Sequence, residues 1–233
     1  LDQMVRGEFA QESLTIIEGW TFRQMRAAVA ANAGLRHDTA KLSDAELMAK
    51  ISPDYKAPEG LFFPDTYLFA KGASDLTIYK QAHTTLIAKL TTAWEKRAEG
   101  LPYTTPYQAL LIASIVEKET GKESERPMIA AVFVNRLKKG MMLQTDPTVI
   151  YGIGKKFDGD IRKKDLETDT PYNTYMRSGL PPTPIALPGE KSLAAALGPA
   201  TTEALYFVSR GDGSSHFSDN LPDHNRAVNK FQR

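Results

Sequence analysis

Three stretches of helical periodicity follow one another between Asp75 and Lys139, and at Gly140 the periodicity stops. That change constrains the fold more than any single motif. From Met141 to Pro188 the chain is rich in Gly, Pro, Asp, Thr and Tyr, and the segment is too long for an idle connection inside a compact domain. A loop of this length is expected to carry a binding surface. The helices before it run from about Asp75 to Arg97, from Pro106 to about Thr120, and from Arg126 to Lys139, the last closed by Gly140. In the first of them Leu76, Tyr79, His83, Leu86, Ile87, Leu90 and Trp94 form one amphipathic stripe, so His83 reads as a packed helix residue rather than a ligand.

The chain before this bundle has a different rhythm. Leu14 to Ile17 reads as a short strand, and Thr21 caps a helix through Ala33 with Phe22, Met25, Ala28 and Val29 at helical spacing. A second helix is expected from Ser43 to Ile51, with Ser43 and Glu46 as a capping box. The turn-rich stretch from Ser52 to Gly60 makes a boundary. The expected fold class is therefore α+β, with a small strand-helix-helix unit over residues 1–58. A larger, mainly helical domain with a long β/loop-rich segment follows over residues 59–233.

Several kinds of chemistry are disfavoured. With 29 basic against 28 acidic residues the net charge is +1, so no global field draws nucleic acid or an anionic membrane. No cysteine is present, which removes disulfides, thiolate metal sites and cysteine nucleophiles. Phosphate loops, His-Glu-x-x-His and Gly-x-Ser-x-Gly are missing. Asp158-Gly-Asp160 begins like a calcium loop, but Arg162 and Lys163 stand where a ligand and the obligatory glycine belong. His216 and His224, with Asp219 and Asp223, fit no standard metal spacing and read as surface polarity, and Arg210-Gly211-Asp212 reads as a turn. Neither a cofactor nor a metal is expected.

The stretch Ile112-Ala-Ser-Ile-Val-Glu-Lys-Glu-Thr120 ends an apolar helix with two glutamates. Residues two apart on a helix point about 200° away from each other, so the two carboxylates cannot share one site. Ile112, Ile115 and Val116 form a stripe that Glu119 continues, which leaves Glu117 off it. A carboxylate on an apolar face has its pKa raised by desolvation and suits a general acid. The same pattern also fits a helix-end glutamate bonded to an arginine or a backbone amide.

Five stretches together resemble the YceG-like family of endolytic murein transglycosylases. They are Glu59-Gly-Leu-Phe-Phe-Pro-Asp-Thr-Tyr67; Ile112 to Thr120 as above; Arg126-Pro-Met-Ile-Ala-Ala-Val-Phe-Val-Asn-Arg-Leu-Lys-Lys-Gly140; Met141-Met-Leu-Gln-Thr-Asp-Pro-Thr-Val-Ile-Tyr151; and Tyr172-Asn-Thr-Tyr175 with Gly179-Leu-Pro-Pro182. The resemblance implies an enzyme of the bacterial cell envelope that cuts peptidoglycan glycan strands internally and leaves 1,6-anhydromuramoyl ends, limiting strand length. It implies peptidoglycan strands as substrate, peptidoglycan synthases as neighbours, and no nucleic acid. It also implies a LysM-like unit before the catalytic domain and a single-pass inner-membrane anchor. That anchor is not in this chain, which would face the periplasm and looks like a trimmed piece of something longer.

On that resemblance Glu119 is expected to protonate the glycosidic oxygen and then take the proton of the C6 hydroxyl. Intramolecular attack has a large effective-concentration advantage over water. Gln144, Thr145, Tyr151, Tyr172, Asn173 and Tyr175 are expected to wall the cleft with amide, hydroxyl and aromatic groups. Taken singly, each also fits loop architecture, with Asp146-Pro147 as a turn and Tyr151 as a half-buried strand aromatic. Two other functions stay open. A muramidase would need a second carboxylate such as Asp146 or Glu167 facing Glu119. A noncatalytic peptidoglycan-binding module would need none.

Overall fold

A computed structural model describes residues 11–232. Nine helices and two small antiparallel sheets are present among them, consistent with an α+β class. Strand β1 (Gln11–Thr15) is followed by α1 (Phe22–Ala31) and α2 (Asp44–Ile51). Thr21 caps α1 and Ser43 caps α2, each in a capping box, the second closed by Glu46. Residues 1–10 of the expected small unit lie outside the described residues.

The hydrogen-bonding partner of β1 is β2 (Thr66–Ala70), in the register Gln11 with Ala70 through Thr15 with Thr66. The pairing crosses the turn-rich stretch near residue 58. So does the core, in which Phe22 stacks on Phe62 at 5.2 Å and both rings meet Tyr79. Gly60 turns the chain there with φ +76°, and a Cβ at that position would stand 2.3 Å from Pro184. Only glycine fits both demands.

The bundle comprises α3 (Asp75–Glu95), α4 (Pro106–Glu119), α5 (Arg126–Lys138) and α8 (Glu190–Leu197). Helix α4 is its axis: every residue from Ala109 to Val116 is buried. Burying Leu110, Ile112, Ile115 and Val116 contributes roughly 1.5–3 kcal/mol each. Helices α3, α5 and α8 all pack around α4, which accordingly has no solvent face over these turns. His83 is buried on α3 with Nδ1 2.9 Å from the Leu61 carbonyl, a packed helix residue.

The segment from Met141 to Pro188, expected as β/loop-rich, is mostly loop. It holds two short helices, α6 (Asp146–Ile153) and α7 (Lys163–Glu167), and no strand. Asp146-Pro147 opens α6 rather than making a free-standing turn, because proline in a first helical turn loses no hydrogen bond and its φ is preset for the helix. Tyr151 is a helix residue for the same reason. The second sheet comes later, as the hairpin β3 (Tyr206–Ser209) and β4 (Ser215–Ser218), and α9 (Leu221–Phe231) packs on it. No described helix is long and apolar enough to cross a membrane.

Candidate active site

A cavity of about 1030 Å³ opens between the C-terminal end of α4, the N-terminal end of α6, and the β3–β4 hairpin with α9. Glu119, the last residue of α4, is half-buried with its carboxyl at the cavity wall. The Thr145 hydroxyl donates to its Oε1. Thr145 is itself fixed, because its backbone N–H donates to Thr174 Oγ1 at 3.1 Å and Gln144 N–H donates to the Thr174 carbonyl at 3.1 Å.

Burial pushes the Glu119 carboxyl up to about 7. The Thr145 hydrogen bond and the Arg136 charge pull it down, and the Asp146 charge pushes it further up. A carboxyl balanced this way holds a proton near neutral pH and can release it, which general acid–base work requires.

Arg136 is the second charged group of the wall. It is 7% exposed, and burial lowers its pKa. Its guanidinium donates to the carbonyls of Leu143 (2.8 Å), Met142 (3.2 Å) and Leu205 (2.7 Å) and lies 5.1 Å from the Tyr206 ring centre. Backbone carbonyls thus satisfy a buried cation to which no carboxylate among the described residues is bonded. These bonds hold the turn through Gln144, a non-glycine residue at φ +50° in the left-handed region.

The structure divides the sequence-derived residues into two groups. Gln144, Thr145 and Tyr175 stand with Glu119 on the cavity wall. Tyr151, Tyr172 and Asn173 stand elsewhere. Tyr151 donates to Glu59 Oε2 at 3.0 Å and meets the Tyr172 ring edge-on at 4.8 Å. The Tyr172 hydroxyl lies 2.8 Å from Thr183 Oγ1. Asn173 is 1% exposed and donates to the carbonyls of Asp165, Leu166 and Thr168, so it closes a loop.

The structure also places three other carboxylates that the sequence raised. Glu117, off the stripe, is enclosed: its side chain is 5% exposed, paired with Arg126 at 3.1 Å and accepting from Gly189 N–H at 3.0 Å. The helix is packed on both sides, so both glutamates are enclosed although they diverge. Asp146 does lie in the cavity with Glu119, where its Oδ1 accepts from the Tyr175 hydroxyl at 2.6 Å. Glu167 does not line it.

Sequence reasoning gave no cleft role to Arg136 or Tyr206 and read His224 as surface polarity, whereas all three stand on the cavity wall. Arg136 sits inside a periodic helix with no mark of its destination, and the other two come from a hairpin and helix nearly a hundred positions beyond Glu119. Glu59, at the head of one quoted stretch, is a buried carboxyl pushed up to about 7 by burial, and it accepts from Phe22 N–H at 2.9 Å and from Tyr151. Among the described residues no group of acidic and histidine side chains is arranged to hold a metal ion.

Comparison with known proteins gives a consistent picture. The chain is 35% identical over 234 residues to an endolytic murein transglycosylase of Bacillus subtilis (strain 168), an alignment covering 94% of this chain and 64% of that protein. It is 31% identical over 176 residues to an endolytic murein transglycosylase of Streptococcus pneumoniae serotype 2, covering 73% of this chain and 31% of the relative. The chain thus spans less than two thirds of the length of these relatives. A crystal structure of a yceG-like protein of Listeria monocytogenes shares the fold with a TM-score of 0.74 at 33% identity, over 97% of this chain and 79% of that one. The sequence profile of the YceG-like family matches residues 1–230, and the chain belongs to that family.

Proposed function

We propose that this chain is the catalytic part of a lytic transglycosylase that cleaves the bond between N-acetylmuramic acid and N-acetylglucosamine within peptidoglycan strands. The observation that carries the reading is Glu119, a carboxyl pushed up to about 7 and held by Thr145 at the wall of a 1030 Å³ cavity. The names of the Bacillus and Streptococcus relatives support it. Glu119 gives its proton to the glycosidic oxygen as the bond from that oxygen to the anomeric carbon breaks. The C6 hydroxyl of the same muramoyl ring then attacks the anomeric carbon, and its proton returns to Glu119. A 1,6-anhydro ring forms and no water is consumed. Gln144, Thr145 and Tyr175 line the cleft around the reacting bond, while Tyr151, Tyr172 and Asn173 support it from outside the cavity. The small N-terminal unit, LysM-like, adds a hold on the glycan.

The proposal extends to place and partners. The enzyme acts outside the cytoplasm on glycan strands, limits their length beside peptidoglycan synthases, and is tethered to the inner membrane by a segment outside this chain.

One observation favours a second reading. Asp146 shares the cavity with Glu119, and two carboxylates are what a hydrolysing muramidase employs. Asp146 is already engaged by the Tyr175 hydroxyl, which leaves it less free to direct a water. Digestion of uncrosslinked peptidoglycan strands, with product ends identified by mass spectrometry, separates the possibilities. Anhydro ends lost in Glu119→Gln support the transglycosylase. Reducing ends lost in Asp146→Asn mean hydrolysis, and no cleavage by the unmodified protein means a binding module.

A further inference from the structure

The charged groups of the cavity are Glu119 and Asp146 at the ends of α4 and α6, and Arg136 and Lys122, of which Arg136 lies against Tyr206 of the hairpin. The wall from the β3–β4 hairpin and α9 offers aromatic, hydroxyl and amide groups: Tyr206, Ser209, Ser215, His224 and Asn225. At 1030 Å³ the space is at the upper end of the roughly 300–1,000 Å³ typical of small-molecule sites, more than one sugar ring at the reacting bond would occupy.

His224 is the most distinctive member of that wall. Its ring stacks on Tyr206 at 5.1 Å with planes 25° apart, and the Arg136 guanidinium lies 5.1 Å from the same Tyr206 ring. Three flat groups therefore run from the neighbourhood of Glu119 toward α9. Helix α9 is capped by Asn220, whose side chain accepts from Asp223 N–H, and the His224 backbone N–H donates to the Asn220 carbonyl, so the imidazole stands on a fixed first turn. Yet its Nδ1 is shielded from solvent with no hydrogen-bond partner among the described residues. A buried polar atom without a partner is uncommon and costly, and a turn of the ring that brings this nitrogen to a cavity ligand removes that cost. Desolvation and the Arg136 charge both lower the His224 pKa, which keeps the imidazole neutral, with one nitrogen donating and one accepting.

We propose that Tyr206, His224 and Asn225 form a second saccharide subsite of this cavity, at which His224 hydrogen-bonds a hydroxyl or N-acetyl group of a ring beyond the one being cleaved. The aromatic ring of Tyr206 with the neutral hydrogen-bonding groups of His224 and Asn225 suits a sugar ring. The inference rests on the glycan-cleaving reading. His224 is a positioning residue here and takes no part in proton transfer.

The test uses Glu119→Gln protein, which binds strands without cutting them, and uncrosslinked peptidoglycan strands of two and of six sugars as probes in calorimetric titrations. Adding His224→Phe, which keeps a ring against Tyr206 but removes the nitrogens, weakens the six-sugar strand about tenfold, the worth of one good hydrogen bond. Binding of the two-sugar strand is unchanged, and His224→Gln recovers part of the loss. Equal binding of the six-sugar strand by the His224→Phe and parent proteins overturns the subsite. Equal weakening of both strands also overturns it, since the loss is then general. If the folded parent binds neither strand, the glycan reading itself fails, and the subsite with it.

Discussion

The hydroxyl of Thr145, one residue before α6, donates to the carboxyl of Glu119 at the end of α4 and so joins the two helices. The bond lowers the Glu119 pKa while burial raises it. Thr145→Val keeps the shape and removes the donor. The pH at which activity falls on the alkaline side then moves above its wild-type position near 7, and the peak rate drops roughly tenfold as the carboxyl loses its orientation. A pH–rate profile of strand cleavage reads both, and an unmoved alkaline limb shows the bond to be incidental.

Glu119→Gln is expected to abolish cleavage at every pH, since an amide at this position has no proton to transfer. In the wild type, kcat/KM is expected to decline above about pH 7, where the acid form of Glu119 is lost. Rates measured from pH 5 to 9 check the limb, and residual activity of the glutamine variant within tenfold of wild type removes Glu119 from the mechanism.

Glu117→Gln behaves differently. The Glu117–Arg126 pair is enclosed, and removing one partner leaves a buried cation unpaired, at a cost of about 3 kcal/mol. The amide oxygen can still accept from Gly189 N–H. Thermal melts show a clear drop in Tm, while product ends from strands digested below the transition are unaltered. Loss of cleavage with an unchanged Tm would move the acid from Glu119 to Glu117.

Glu59 makes stability depend on pH. Folded, it keeps its proton up to about pH 7; in the unfolded chain it gives it up near 4.5. The native state therefore binds more protons in that window, and the protein loses stability as pH rises through it. The loss approaches the order of 3 kcal/mol above pH 7. Glu59→Gln retains an acceptor for Phe22 N–H and escapes the loss, so its Tm advantage over wild type grows from pH 5 to pH 8. A constant difference across that range contradicts the assignment.

Arg136→Met takes the donors from three backbone carbonyls and a positive charge from the neighbourhood of Glu119. Each buried carbonyl left alone costs about 1–3 kcal/mol where water cannot replace the donor. Lower stability is expected, together with a Glu119 pKa above its wild-type value, read from carboxyl carbon shifts in a 13C-labelled sample. A lower Glu119 pKa in the variant would show that the charge of Arg136 does not reach it.

Local rules carried much of this architecture. Capping boxes at Thr21 and Ser43, proline at Pro106 and the stop at Gly140 are short-range devices, and the helices begin and end where those residues place them. The Glu119 position was legible because a helical stripe is a short-range property too. What surrounds a stripe is not. The wheel that set Glu119 on the apolar face could not show that α4 is enclosed on its other side as well, with Glu117 held there by Arg126 and Gly189. It took tertiary packing to divide the polar residues after Gly140. Thr145 and Tyr175 face the carboxyl, whereas Asn173 ties a loop and Tyr151 reaches back to Glu59. Sequence periodicity set where each helix starts and which face it buries, because those depend on neighbours within a few residues. Which distant hairpin closes over a face depends on contacts between segments far apart in the chain, and the Arg136–Tyr206–His224 wall of the cavity exists only once they meet.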